Sequence, residues 1–165
     1  MHYGTHVPVF DLKDLPAACP PNTPWIGLDL GEKTIGVAVS DGSRMIASPL
    51  KLIRKSKFTL EAEELFRLME GRNVSALIIG LPLNMDGTEG PRAQSCRAFA
   101  RNLERLRPVN VAFQDERLST AGVERFLIEE LDLNRKRRAE VVDRTAASWI
   151  LQGALDQLRI SSGQI

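Results

Sequence analysis

The spacing of hydrophobic and polar positions changes along the chain and divides it into strands and helices. Residues 25–30 and 34–40 read as strands, and the second turns at Asp41-Gly42 into a third over 45–53, which predicts an antiparallel meander. Between Thr59 and Glu70 the apolar positions Leu60, Leu65, Phe66, Leu68 and Met69 repeat near helical spacing, and Gly71 with Asn73 supplies a stop. Residues 76–80 form a short continuous apolar run, as expected of a strand buried on both faces. A helix over 91–106 follows, with Pro91 tolerated in its first turn. The next strand covers 109–114, Ser119 can cap a helix running to about Leu131, and a final helix fills 137–158. The order βββαβαβα predicts an α/β domain with a mixed five-stranded sheet and helices packed on it. The strands that alternate with helices pair in parallel, and their C-terminal ends are the natural place for a site.

Residues 1–24 carry Pro8, Pro16, Pro20, Pro21 and Pro24 without a sustained period and read as a flexible leader. The domain itself is expected over 25–160, with 161–165 as a tail. A chain of 165 residues that is 43% hydrophobic can fill one core. No apolar run approaches a membrane span and the N-terminus lacks a signal-peptide layout, so a cytoplasmic location without membrane contact is expected. Cys19 and Cys96 are too few and too far apart for a disulfide framework or a zinc cluster. With 22 basic against 21 acidic residues the net charge of +1 does not select a partner, and local clusters must.

Three acids stand out. Asp29 sits between Gly27 and Gly31, so its neighbours along the strand bring no side chains and are expected to leave open volume above the sheet; an Asx turn at a strand end is the plain alternative. Strand alternation groups Glu116 with Asn110, Ala112 and Gln114, the less apolar face, where it can meet Asp29 or simply pair with Arg117 or Arg144 in solvent. Asp143 shares a helix stripe with Ala146, Ala147, Ile150 and Ala154, and a carboxylate on a core-facing stripe is costly unless it is paired or bound to metal. Acids without nearby histidine or cysteine suit a hard, oxygen-liking cation such as Mg2+ or Mn2+, and such sites favour phosphate chemistry.

Positive charge clusters beside the last of these acids. Arg135, Lys136, Arg137 and Arg138 precede Asp143 and Arg144 adjoins it, a position that suits phosphate binding as well as it suits a solvated helix end. Lys33 and Arg117 follow the Asp29 and Glu116 segments and are weaker candidates for the same contact. Asn84, in the loop from Gly80 to Gly87, could touch a nucleic-acid backbone.

Four segments, GLDLGEKTIGVAVSD, IIGLPLNMDGTEGP, DERLST and VVDRTAASWILQ, occur in that order and together resemble the bacterial YqgF family, also called RuvX, over about residues 25 to 158. The resemblance implies a ribonuclease H-like fold and a nuclease related to Holliday junction resolvases, with members assigned to maturation of the 5′ end of pre-16S ribosomal RNA. It also carries catalytic and metal-binding roles onto Asp29, Glu116 and Asp143. Structured RNA and branched DNA both remain open as substrates, because the expected contacts are to phosphates. RNA trimming works as a monomer, whereas a junction resolvase would need a homodimer to cut two strands. Two other classes compete. The segment 27–36 is similar to the first phosphate loop of sugar kinases and actin-type ATPases, although those clamp nucleotide between two such domains. A non-catalytic nucleic-acid-binding module is the other, and three retained acids favour an enzyme over it. A P-loop fits poorly, since Glu32 precedes Lys33 and a strand rather than a helix follows.

Overall fold

The computed structural model describes residues 9–118 and 135–163, and the side chains of the last helix from residue 146 onward. Six strands form one sheet: β1 (Val9–Phe10), β2 (Trp25–Leu30), β3 (Thr34–Ser40), β4 (Ala47–Arg54), β5 (Ala76–Leu81) and β6 (Val111–Asp115), in the spatial order β1-β6-β5-β2-β3-β4. The meander is antiparallel, and β5 pairs in parallel with both β2 and β6. Around the sheet lie the short α1 (Leu15–Ala18), α2 (Phe58–Arg72), α3 (Pro91–Leu106) and α4 (Arg135–Ser161). The expected helix over 119–131 lies outside the described residues.

The sheet therefore has six strands where the apolar pattern predicts five, and the extra one comes from the segment read as a flexible leader. Val9 and Phe10 pair in parallel with Val111 and Ala112 of β6. Leu15 is wholly buried, packed with Trp25, Ile78 and Leu151. Arg44 closes the connection: its guanidinium donates to the carbonyls of Thr23 (2.8 Å) and Pro20 (2.7 Å) and lies over the Trp25 ring at 4.6 Å. A two-residue strand and a one-turn helix are too short to show a period, so their burial rests on tertiary contact.

Alternation along the strands splits the core in two. Leu28, Ile35, Leu77 and Ile79 face α2 and α3 and pack with Leu65, Phe99 and Leu103. Trp25, Ile78 and Ala112 face the other way, toward Ala147, Ile150, Leu151 and Leu155 of α4. Gln152 of α4 anchors the helix at the sheet's edge by accepting from Ala47 N (2.8 Å) and donating to Met45 O (3.0 Å). That strand begins at Ala47 rather than Met45 because the Asp41 carboxylate accepts the amides of Met45 and Ile46 and holds both in the turn. No helix among the described residues is long and apolar enough to cross a membrane.

Candidate active site

Asp29 stands near the C-terminal end of β2 and is buried, 8% exposed. Its antiparallel partner on β3 is Gly36, and one step beyond the pair Leu28–Ile79 its parallel partner on β5 is Gly80. Gly80 in turn pairs with Gln114 of β6. Both lateral neighbours of the aspartate are thus glycines. A β-carbon placed on Gly80 would stand 3.4 Å from Cδ of Glu116 and 2.5 Å from Cδ1 of Ile150. Glu116, which opens a 3-10 turn directly after β6, accordingly reaches back over Gly80 on the face that α4 covers. Paired residues share a face and strands lie about 4.8 Å apart, so Asp29 rises on that same face one strand away.

Gly27 acts differently from the expectation of open volume beside Asp29. A β-carbon there would meet Leu151 Cβ at 2.6 Å and the Ala147 carbonyl oxygen at 2.9 Å, so the space is filled by α4. The glycine lets the helix backbone settle directly on the strand. The alanines that mark this helix in sequence serve the same close approach.

The Cys96 thiol, buried on α3, reports on both carboxylates. Its pKa is pushed up to about 11, first by burial and then by the negative charge of Glu116 and Asp29, against the opposing pull of Arg92 and Arg97. Asp143 belongs to α4, four residues before Ala147, and its side chain lies outside the described residues. Among the described residues no group of three acids, histidines or cysteines is arranged to hold a metal ion. The donors that are described do suit a hard cation: two carboxylates beside a glycine whose missing side chain leaves Glu116 room.

The candidate phosphate contacts separate. Lys33 is exposed in the turn between β2 and β3, and its carbonyl accepts the Lys55 amide at 2.9 Å. Asn84 is exposed but engaged, donating to Thr88 Oγ1 at 2.9 Å inside the loop that follows β5. Arg117 pairs with Asp115 at 2.8 Å and donates to the carbonyl of Met85 at 3.1 Å, so it fastens that loop to the end of β6. The side chains of Arg135, Lys136, Arg137, Arg138 and Arg144 lie outside the described residues. Two cations beside the site escaped the sequence reading, Arg92 and Lys55. A signal for Arg92 existed: a positive charge in the first turn of a helix opposes the helix dipole and calls for a reason.

A family model described as RuvX, Holliday junction resolvase, matches residues 23–157. The chain belongs to the RuvX family. A relative from Phenylobacterium zucineum is 68% identical over 152 residues, covering 92% of this chain and 97% of its own length, and carries the provisional name pre-16S rRNA nuclease. A relative from Caulobacter vibrioides with the same name is 60% identical over 154 residues, 93% of this chain and 99% of its own. Among solved structures, T. thermophilus RuvC in complex with a Holliday junction substrate aligns with a TM-score of 0.52 at 11% identity, over 86% of this chain and 96% of that one. At that identity the likeness speaks for the ribonuclease H-like fold.

Proposed function

We propose that this RuvX-family chain is a metal-dependent endonuclease that hydrolyses phosphodiester bonds and trims the 5′ end of pre-16S ribosomal RNA. The observation that carries the site assignment is the flanking of side-chain-free Gly80 by Asp29 and Glu116 on the face beneath α4. In this reading Asp143, one helical turn before Ala147, adds the third carboxylate, and the three hold Mg2+ or Mn2+. A divalent cation bound there would supply Lewis acidity for the attacking water and the leaving oxygen. The protein's own part is to fix the acids on two strand ends and a packed helix, and to exclude water beneath them with Ile150 and Leu151. Arg135, Lys136, Arg137, Arg138 and Arg144 guide the substrate backbone toward the acids through phosphate contacts, without reading sequence. The RNA assignment draws on the names of the relatives. The family's description names a junction instead, so the substrate test must offer both.

The test is cleavage by purified protein with Mg2+ or Mn2+, given a pre-16S leader fragment and a four-way DNA junction side by side. Cutting of the leader at a defined 5′ position supports the proposal. Cutting of the junction alone overturns the RNA assignment, and failure to cut either overturns the nuclease reading.

A further inference from the structure

We infer that the cleft between the end of β2 and the first turns of α3 holds the nucleotide next to the scissile bond, with Arg92 as its phosphate contact. The inference rests on the nuclease reading above and adds a substrate subsite to it. The cleft has a volume of about 290 Å³ and is lined by Leu30, Gly31, Lys55, Arg92, Ser95 and Phe99, with Cys96 and Glu32 completing it. That is close to the lower end of the range of small-ligand sites, a size suited to one nucleotide unit. Its walls divide by chemistry: Leu30, Cys96 and Phe99 are apolar enough to take a sugar or base, while Lys55, Arg92 and Ser95 bring charge and a hydroxyl.

Arg92 is exposed, and among the described residues it has no carboxylate partner. Its hydrogen bond there is a long one, 3.5 Å, from Nη2 to the carbonyl of Leu30, the residue directly after Asp29. A guanidinium resting loosely on the backbone beside the proposed catalytic acid keeps most of its five donors available, in the planar geometry that matches phosphate. Lys55 on the opposite wall shares its charge with buried Glu61 at 3.6 Å, so it supports the field while Arg92 makes the contact. Glu32 is exposed and lines the same cleft as the two cations, so one negative charge there is outnumbered by two positive ones. Alternation adds the last step. Asp29 rises on the α4 face while the cleft opens on the α3 face of the same strand end, so a strand laid across the sheet edge meets the acids and the cleft with neighbouring nucleotides. The larger cavity, about 490 Å³ around Trp25, Arg44 and Leu158, lies at the start of β2, the opposite end, and does not serve this path.

The test measures binding of a fluorescently labelled single-stranded leader RNA by anisotropy, with EDTA present and at several salt concentrations, for wild type, Arg92→Gln, Arg92→Lys and the distant control Lys13→Gln. Arg92→Gln should weaken binding roughly tenfold, as expected for one lost charge-assisted hydrogen bond, and flatten the slope of log K against log salt by about 0.7. Arg92→Lys should restore the slope, and Lys13→Gln should match wild type. Wild-type affinity and slope in Arg92→Gln, at an unchanged unfolding midpoint, would overturn the subsite and leave the nuclease reading standing. Wild-type protein that neither binds the RNA nor cuts it with Mg2+ restored would overturn both.

Discussion

The carboxyl carbon of Glu116 lies 3.4 Å from the point where a side chain on Gly80 would begin. The strand that runs between the two acidic strand ends contributes space instead of a third acid, and that space is shared by Glu116 and the tip of Ile150. Gly80→Ala should therefore disturb activity more than stability. The new methyl would meet Cδ1 of Ile150 at 2.5 Å, the movable end of a side chain, so overpacking should cost about 1 to 2 kcal/mol while Glu116 is displaced. Denaturant unfolding and cleavage rate together check this.

Gly27→Ala should show the opposite balance. Its β-carbon would run into Leu151 Cβ and the Ala147 carbonyl, neither of which can move without shifting α4. The expected loss is about 3 kcal/mol or more, read from urea unfolding. Gly71→Ala, in α2 with nothing within 4 Å, should instead stabilise by about 0.5 to 1 kcal/mol and serves as the control.

Asp29→Asn and Glu116→Gln should each abolish metal-supported cleavage and leave RNA binding intact or tighter, since a negative charge facing phosphate is removed with little change of shape. Calorimetric titration with Mg2+ should lose its signal in both variants. If either variant cleaves at the wild-type rate, that residue has no place in the site.

Leu15→Ala tests whether the N-terminal segment belongs to the core. Leu15 is wholly buried among Trp25, Ile78 and Leu151, and truncation should cost about 2 to 4 kcal/mol. A change within about 0.5 kcal/mol in equilibrium unfolding would mean that the segment is dispensable.

Acid should loosen the loop after β5. The Arg97 guanidinium grips Glu89 through both oxygens, at 2.8 Å each from Nε, and lies over the Phe113 ring at 4.9 Å, so the pair fastens the loop's end to α3 and β6. The hydrogen bond from Arg97 holds the Glu89 pKa below its ordinary value of 4.5. Because the folded value is the lower one, the pair stabilises fully above the ordinary value, and this contribution is lost as the pH falls through the folded one. Glu89→Gln should flatten the acid limb of the stability profile between pH 5 and the onset of acid unfolding, roughly pH 3. Thermal unfolding of both proteins across that range decides it.

Much of this molecule was legible in the chain. The apolar run at 76–80 read as a strand buried on both faces and lies inside the sheet as β5, and alternation from Val109 to Glu116 grouped the glutamate with the less apolar face, where it could meet Asp29. The stripe through Ala147, Ile150 and Ala154 announced a helix lying close on the sheet. What the sequence concealed had physical causes. Val9–Phe10 and Leu15–Ala18 are too short for periodicity, and the prolines of this segment suggested freedom although Pro16 lies in the first turn of α1. Gly27 signalled absence of a side chain, but not what fills the gap, because the partner is a helix far away in sequence. The bonds of Arg117 to Asp115 and Met85 join the end of β6 to a segment distant in sequence and had no signal in it, and Arg92, whose charge sits against the helix dipole, went unread.

The docking of α4 on Gly27 has a consequence for how the protein comes into being. The strand that bears Asp29 and the one that leads into Glu116 are made before the helix that covers them. Until it emerges, the face carrying these acids lacks its Ala147, Ile150 and Leu151 cover, and the apolar surface of Ile78 and Ala112 stays exposed to water. Assembly of the acidic face is thereby tied to synthesis of α4, so a nascent copy without that helix, inside a cell crowded with RNA, holds the two carboxylates without the element that frames them.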